Sequence, residues 1–279
     1  MTPHRTVVTA VLLVALAGTG RAQTRSPDLD AIARRVMARE HVVGASILVA
    51  RGDRIVFHRG YGFADLGLEA PVKDETVYHI VGPMMPFTGV AVMQLVEHGK
   101  LSLDDDIGTL IPEFPMQGHH VTLRQLLNHT SGIVDYHYLG DAIDGTSRQP
   151  RALDEVIALY ANRPWVNEPG TAWDWSISGF PLLVTIVERA SGQSFDDYVQ
   201  KNVYLPAGLK STSLCDDFTL VRGLAHGYRR AGSGHVMAHE NDMAFNSDLR
   251  YCSTVGDLFR AWRAVRDHKV LKAETLTMM

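Results

Sequence analysis

The stretch Phe87 to Asp105, FTGVAVMQLVEHGKLSLDD, is where the architecture of this chain can be read. Between Phe87 and Glu97, apolar side chains fall on nearly every face of a helix (Val90, Ala91, Val92, Met93, Leu95, Val96). A helix that is apolar all round belongs in the middle of a core. Gly99 ends it, because glycine tolerates the left-handed conformation of a helix C-terminus. The acidic run Asp104, Asp105 and Asp106 that follows reads as turn caps and solvated carboxylates in preference to a cation site.

Downstream the chain is mostly helical. Thr122 and Gln125 have the spacing of a capping box ahead of Leu126 and Leu127. His129-Thr130-Ser131-Gly132 reads as a helix-ending turn, with Gly132 the permissive residue. Phe180, Leu183, Val184 and Val187 form an apolar stripe stopped by Gly192, and Ser194, with Asp197 three positions on, caps a helix running through Val203. Thr254 caps a further helix whose buried face is Leu258, Ala261, Trp262 and Val265, and another begins near Ala273.

Upstream, Ser26 caps a helix carrying Leu29, Ile32, Ala33, Val36 and Met37 at helical spacing. Ala45–Ala50 and Arg54–His58 are β-favouring runs around the turn residues Arg51, Gly52 and Asp53, which predicts a hairpin. Two strands alone make a marginal sheet, so a β partner is expected elsewhere. No repeat or linker divides the chain, and residues 23–279 read as one interleaved domain.

The first 22 residues read as a secretory signal peptide: His4 and Arg5 precede the apolar run Val7–Leu16, with Gly20 and Ala22 near a cleavage point. The expected location is therefore the periplasm or the extracellular space. No later run is apolar and long enough to cross a membrane. Of 279 residues, 46% are hydrophobic and 21% charged, which excludes wholesale disorder. Lys plus Arg number 27 against 31 for Asp plus Glu, so no basic excess exists to grip nucleic acid. An oxidising compartment permits Cys215 and Cys252 to pair, with buried free thiols the alternative. Thirteen histidines invite a metal reading. His235, His239 and Glu240 lack the order and the helix that zinc sites of the His-Glu-x-x-His type need, and His119-His120 reads as a solvated loop pair, so no metal or cofactor is expected.

Several stretches together resemble the serine β-lactamase and penicillin-binding-protein-like hydrolases, in the class C branch that also holds esterases and D-amino-acid peptidases. The matching text is Phe87–Asp105, Val121–Ile133 (VTLRQLLNHTSGI), Pro169–Gly179 (PGTAWDWSISG), Tyr204–Thr212 (YLPAGLKST) and Ser253–Leu258 (STVGDL). The resemblance implies an α+β fold, with a helical region and an antiparallel sheet flanked by helices, in which the N-terminal hairpin lies beside C-terminal strands that this chain lacks.

The resemblance also says where chemistry should be. The family's Ser-x-x-Lys slots fall on Gly82 and Met85, and its Tyr-x-Asn slots on Trp175 and Ile177. Acylation needs a nucleophile with a removable proton and a base to take it. Glycine has no side chain, a thioether never titrates, and an indole N–H only donates. The third family motif, Lys-Thr-Gly or His-x-Gly, is expected after the helix containing Trp262, where no sequence remains to hold it. Ser131, Ser176 and Ser178 are candidates for a displaced nucleophile, but no motif supplies a base, and they read as turn hydroxyls.

The expectation is an exported, catalytically inactive relative, a pseudoenzyme acting in binding or scaffolding or a truncated remnant. The alternative is a working esterase, β-lactamase or D-Ala-D-Ala peptidase with an unrecognised nucleophile or completed by another chain. Met84, Met85, Trp173 and Trp175 line the cleft if the fold is kept. They suit a peptide-like or apolar ligand, with core filling the favoured use of the same side chains. The hairpin edge is expected to promote self-association.

Overall fold

The computed structural model describes residues 28–80, 85–139, 152–215, 220–232, 234–237 and 251–279. The signal-peptide stretch, Ser26, Gly82, Met84, His239 and Glu240 lie outside them. The described residues fall into two compact units, one of those lying within Met1–Tyr78, Val221–Glu240 and Thr254–Gly256, the other of those lying within His79–Leu220, Asn241–Ser253 and Asp257–Met279.

The first unit opens with helix α1 (Leu29–Glu40). Its cap is Asp28, whose side chain accepts from Ala31 N at 3.2 Å. The hairpin strands are β1 (Gly44–Arg51) and β2 (Arg54–Asp65), antiparallel and both longer than the sequence suggests. The expected third partner is the short β3 (Ala70–Pro71), which gives a sheet of order β1–β2–β3. A separate ribbon pairs β6 (Tyr228–Ala231) with β7 (Gly234–Met237), which places His235 on a strand, its Nε2 2.9 Å from His41 O. The chain preceding the ribbon is stitched to the first segment by Ala225 N donating to Val77 O and His226 N to Ala64 O, each at 2.8 Å.

The second unit is built on α2 (Met85–Glu97) and α6 (Gly179–Ser191). Every residue of α2 from Phe87 to Leu95 is buried, as an all-round apolar helix requires. Its one long polar side chain there, Gln94, is half satisfied: Nε2 donates to Asn202 O at 2.9 Å and Val270 O at 2.8 Å, while its buried Oε1 has no partner among the described residues. Around this pair lie α3 (Ile107–Leu110), α4 (Leu123–Leu127), α5 (Leu153–Tyr160) and α7 (Phe195–Val199). The capping box forms, with Thr122 Oγ1 accepting from Gln125 N and Gln125 Oε1 accepting from Thr122 N. Ser194 Oγ likewise accepts from Asp197 N at 3.1 Å.

The helix expected through Val203 is α-helical only to Val199. It continues as a π-helical turn, Gln200–Tyr204, and a short α8 (Leu205–Ala207) before Gly208 stops it. A second three-stranded sheet has order β4–β8–β5, from β4 (Tyr78–Ile80), β8 (Tyr251–Ser253) and β5 (Ser213–Leu214). Cys215 and Cys252 form a disulfide, closing the alternative left open above. Helices α9 (Val255–Arg266) and α10 (Ala273–Leu276) complete the described elements.

On α9 three residues of the expected face meet the core, Ala261 buried and Leu258 and Val265 half-buried against it, and only Trp262 is corrected. Phe259, Ala261 and Ala264 are buried whereas Trp262 is 40% exposed, its ring covered by the Arg266 guanidinium 4.8 Å from the centroid. The buried polar group of this helix is Asp257. It accepts from Lys210 N at 2.9 Å, Ser211 N at 2.6 Å and Thr212 Oγ1 at 2.9 Å, and pairs with Arg260. Burial opposes its ionisation, but the bonds from Ser211, Arg260, Thr212 and Lys210 outweigh it and hold the carboxyl below its ordinary range. No described helix is long and apolar enough to cross a membrane.

Candidate functional site

Two loops of the second unit run side by side and carry the residues singled out at the second motif. The first leaves α4 through His129 and Gly132, and the second leads into α6 through Trp173–Ser178. Three backbone bonds lace them: Val166 N to Gly132 O at 2.9 Å, Gly170 N to Thr130 O at 2.8 Å and Asp174 N to His129 O at 3.0 Å. Gly132 is required at its place. Its φ is +77°, and a Cβ there would run into the carbonyl oxygen of Asn167.

The lacing continues through side chains. Ser178 is fully buried; its Oγ donates to Val134 O at 2.7 Å and accepts from Tyr136 N at 3.0 Å. Ser176 Oγ accepts from Ser178 N at 3.2 Å, and Ser131 Oγ from Ile133 N at 3.3 Å. Of the three hydroxyls considered as a displaced nucleophile, those of Ser131 and Ser176 thus hold local turns and that of Ser178 ties one loop to the other. Tyr160 OH donates to Ser178 O at 2.7 Å from a site whose burial pushes the phenol well above its usual range.

His129 lies at the centre. Its φ is +59°, and its ring stacks on Trp175 at 4.5 Å and meets Trp173 edge-on at 6.2 Å. Nδ1 is 3.1 Å from Ser176 O and 3.4 Å from Ser176 N, so its bonds go to the backbone of Ser176 and not to the hydroxyl. Burial lowers the imidazole pKa, against the bond to the Ser176 carbonyl and the nearby Asp135 charge.

Of the family slots, Gly82 falls outside the described residues. Met85 is the first residue of α2, half-buried and packed against the core of this unit, and Ile177 is buried. The reading of the tryptophans as cavity filling is corrected: Trp173 is 66% exposed and Trp175 44%. The reason is local, since the lacing of the loops fixes the backbone and the His129 ring occupies one face of the Trp175 indole. His119 is corrected too, because it stacks on Trp165 at 4.5 Å with Glu168 at 3.2 Å, while His120 is solvated as expected.

Sequence reasoning missed His129, whose only signal was its place in the turn. It also missed a second cluster, where His79 Nδ1 stands 3.5 Å from Cys252 Sγ. Two cysteines and a distant histidine carry no spacing signal until strands bring them together. Chemically, the loop site offers aromatic surface, backbone amides and one neutral imidazole.

A family model described as Beta-lactamase matches residues 29–279. Penicillin-binding protein 4* of Bacillus subtilis (strain 168) is 32% identical over 63% of this chain and 39% of its own length. Protein flp of Staphylococcus aureus (strain N315) is 27% identical over 84% of this chain and 47% of its own. The chain therefore spans less than half the length of these relatives. Among solved structures, the octameric penicillin-binding protein homologue from Pyrococcus abyssi superposes with a TM-score of 0.79 at 27% identity, covering 90% of this chain and 59% of that one.

Proposed function

Because the chain belongs to the Beta-lactamase family, we propose that it is an exported member without hydrolytic chemistry, whose second-motif loops serve as a binding surface for a peptide-like or apolar ligand. The observation that carries the reading is the identity of the side chains in the family's slots. A thioether begins α2, and an indole and a branched alkyl group stand at positions 175 and 177. None of these can take a proton from a nucleophile or return it to a leaving group. The binding half of the reading is supported by Trp173 and Trp175, whose exposed rings give apolar, polarisable area at low conformational cost.

Self-association belongs to the same proposal. β1 is the outermost strand in the order β1–β2–β3, and strand edges pair with other chains. The Pyrococcus abyssi homologue is described as octameric.

The test is covalent labelling of the purified chain with a fluorescent penicillin and a fluorophosphonate, read by intact mass. No adduct is the expected outcome. A stoichiometric adduct mapped to any serine would refute the silent reading and favour a working serine hydrolase.

A further inference from the structure

Three side chains with an affinity for soft metals meet on the sheet of order β4–β8–β5. Neighbouring strands lie about 4.8 Å apart, so residues sharing a face are brought within reach sideways. Cys252 is on the central strand β8, opposite Ser213 of β5. Cys215 lies two residues beyond Ser213, and side chains two apart on an extended strand share a face. It is therefore diagonal to Cys252, with the Cα atoms of the disulfide 5.4 Å apart. His79 arrives from β4 on the opposite side, its Nδ1 3.5 Å from Cys252 Sγ. The three donor atoms lie within 4.8 Å of one another, with both cysteines fully buried.

A disulfide needs no histidine beside it, and this separation matches something else. With Zn–S at about 2.3 Å and Zn–N at about 2.0 to 2.1 Å, tetrahedral angles put a thiolate sulfur and an imidazole nitrogen roughly 3.6 Å apart. The two sulfurs, once unbonded, would need to part to roughly 3.8 Å, the other edge of the same tetrahedron. A Cys2His set selects soft or borderline ions and leaves one position for water or an outside ligand.

We infer that Cys215, Cys252 and His79 form a zinc-class metal site that the disulfide holds closed and a dithiol reductant opens. The dithiol passes two electrons and two protons to the S–S bond, which breaks to two thiols while the dithiol closes to a cyclic disulfide. Zn2+ then displaces both thiol protons to water and binds the two thiolates and Nδ1 of neutral His79. The site uses none of the motif-slot residues, so it stands independently of the reading given under Proposed function.

The test uses the purified chain, reduced with a phosphine, freed of it anaerobically and titrated with Co2+ and then Zn2+. Expected are one equivalent of Co2+ with thiolate-to-cobalt charge-transfer absorption, its displacement by one equivalent of Zn2+, and no such band in the oxidised chain. His79→Ala and His79→Gln should each weaken binding more than ~10-fold, exceeding the lower cost of losing even an outer-shell partner, while the disulfide still forms by thiol count. Absence of the band after reduction, equal binding by the oxidised chain, or unchanged affinity in both His79 variants would overturn the site. Circular dichroism follows the same samples, and a reduced chain that loses structure without regaining it on Zn2+ addition also overturns it.

Discussion

His129 shows what one residue does when a loop demands a conformation its side chain then exploits. The left-handed backbone turns the ring onto Trp175, and burial keeps the imidazole neutral further into acid than an ordinary histidine. The unfolded chain takes up the proton first, so this contribution to stability is present above the ordinary value of 6.5 and is lost as pH falls below it toward the folded-state pKa. Tryptophan fluorescence should titrate with a midpoint below 6.5, and His129→Gln should remove that transition. A midpoint at or above 6.5 would show that the ring is not desolvated. The turn itself was legible from Gly132. The stack was not, because an imidazole facing an indole depends on a loop some forty-five residues away. Asp257 was equally silent, since an acidic residue in the first turn of a helix usually complements the dipole in solvent, and only the fold shows it clasping the backbone amides of Lys210 and Ser211 and the Thr212 hydroxyl.

At the scale of elements, what could be read followed length and period. The α2 and α6 segments announce themselves by long apolar patterns, and the capping box before α4 is written in Thr122 and Gln125. Strands such as β3, β4, β5 and β8 are two or three residues long, too short for an alternating pattern to exist. The expected β partner was thus inferred from sheet energetics and placed by the resemblance in C-terminal strands, whereas β3 follows β2 directly in the chain. Loss of one cap is worth about 1 kcal/mol, so Thr122→Ala should lower urea stability by that amount. Gly132→Ala should cost more than ~1 kcal/mol, because it meets both an unfavourable φ and the Asn167 carbonyl. An equal or smaller loss for Gly132→Ala would indicate that the two loops relax apart.

For the whole molecule, the described residues fall into two units, a division that no linker in the sequence marks. Both units are assembled from discontinuous stretches, and composition does not change where the chain crosses between them. The outermost position of β1 makes light scattering informative: the chain should run as an oligomer, and a monodisperse monomer would show that its edge is covered. The Cys215–Cys252 bridge has a topological effect of its own. The cysteines, 37 apart in sequence, belong to one unit, yet the intervening chain includes Val221–Glu240 of the other. That excursion is gathered at its base as by a drawstring, which in the chain-entropy model removes about 4 kcal/mol of freedom from the unfolded state. A protease nicking anywhere inside it leaves a molecule that still migrates as one piece and separates into two only after the sulfurs are parted.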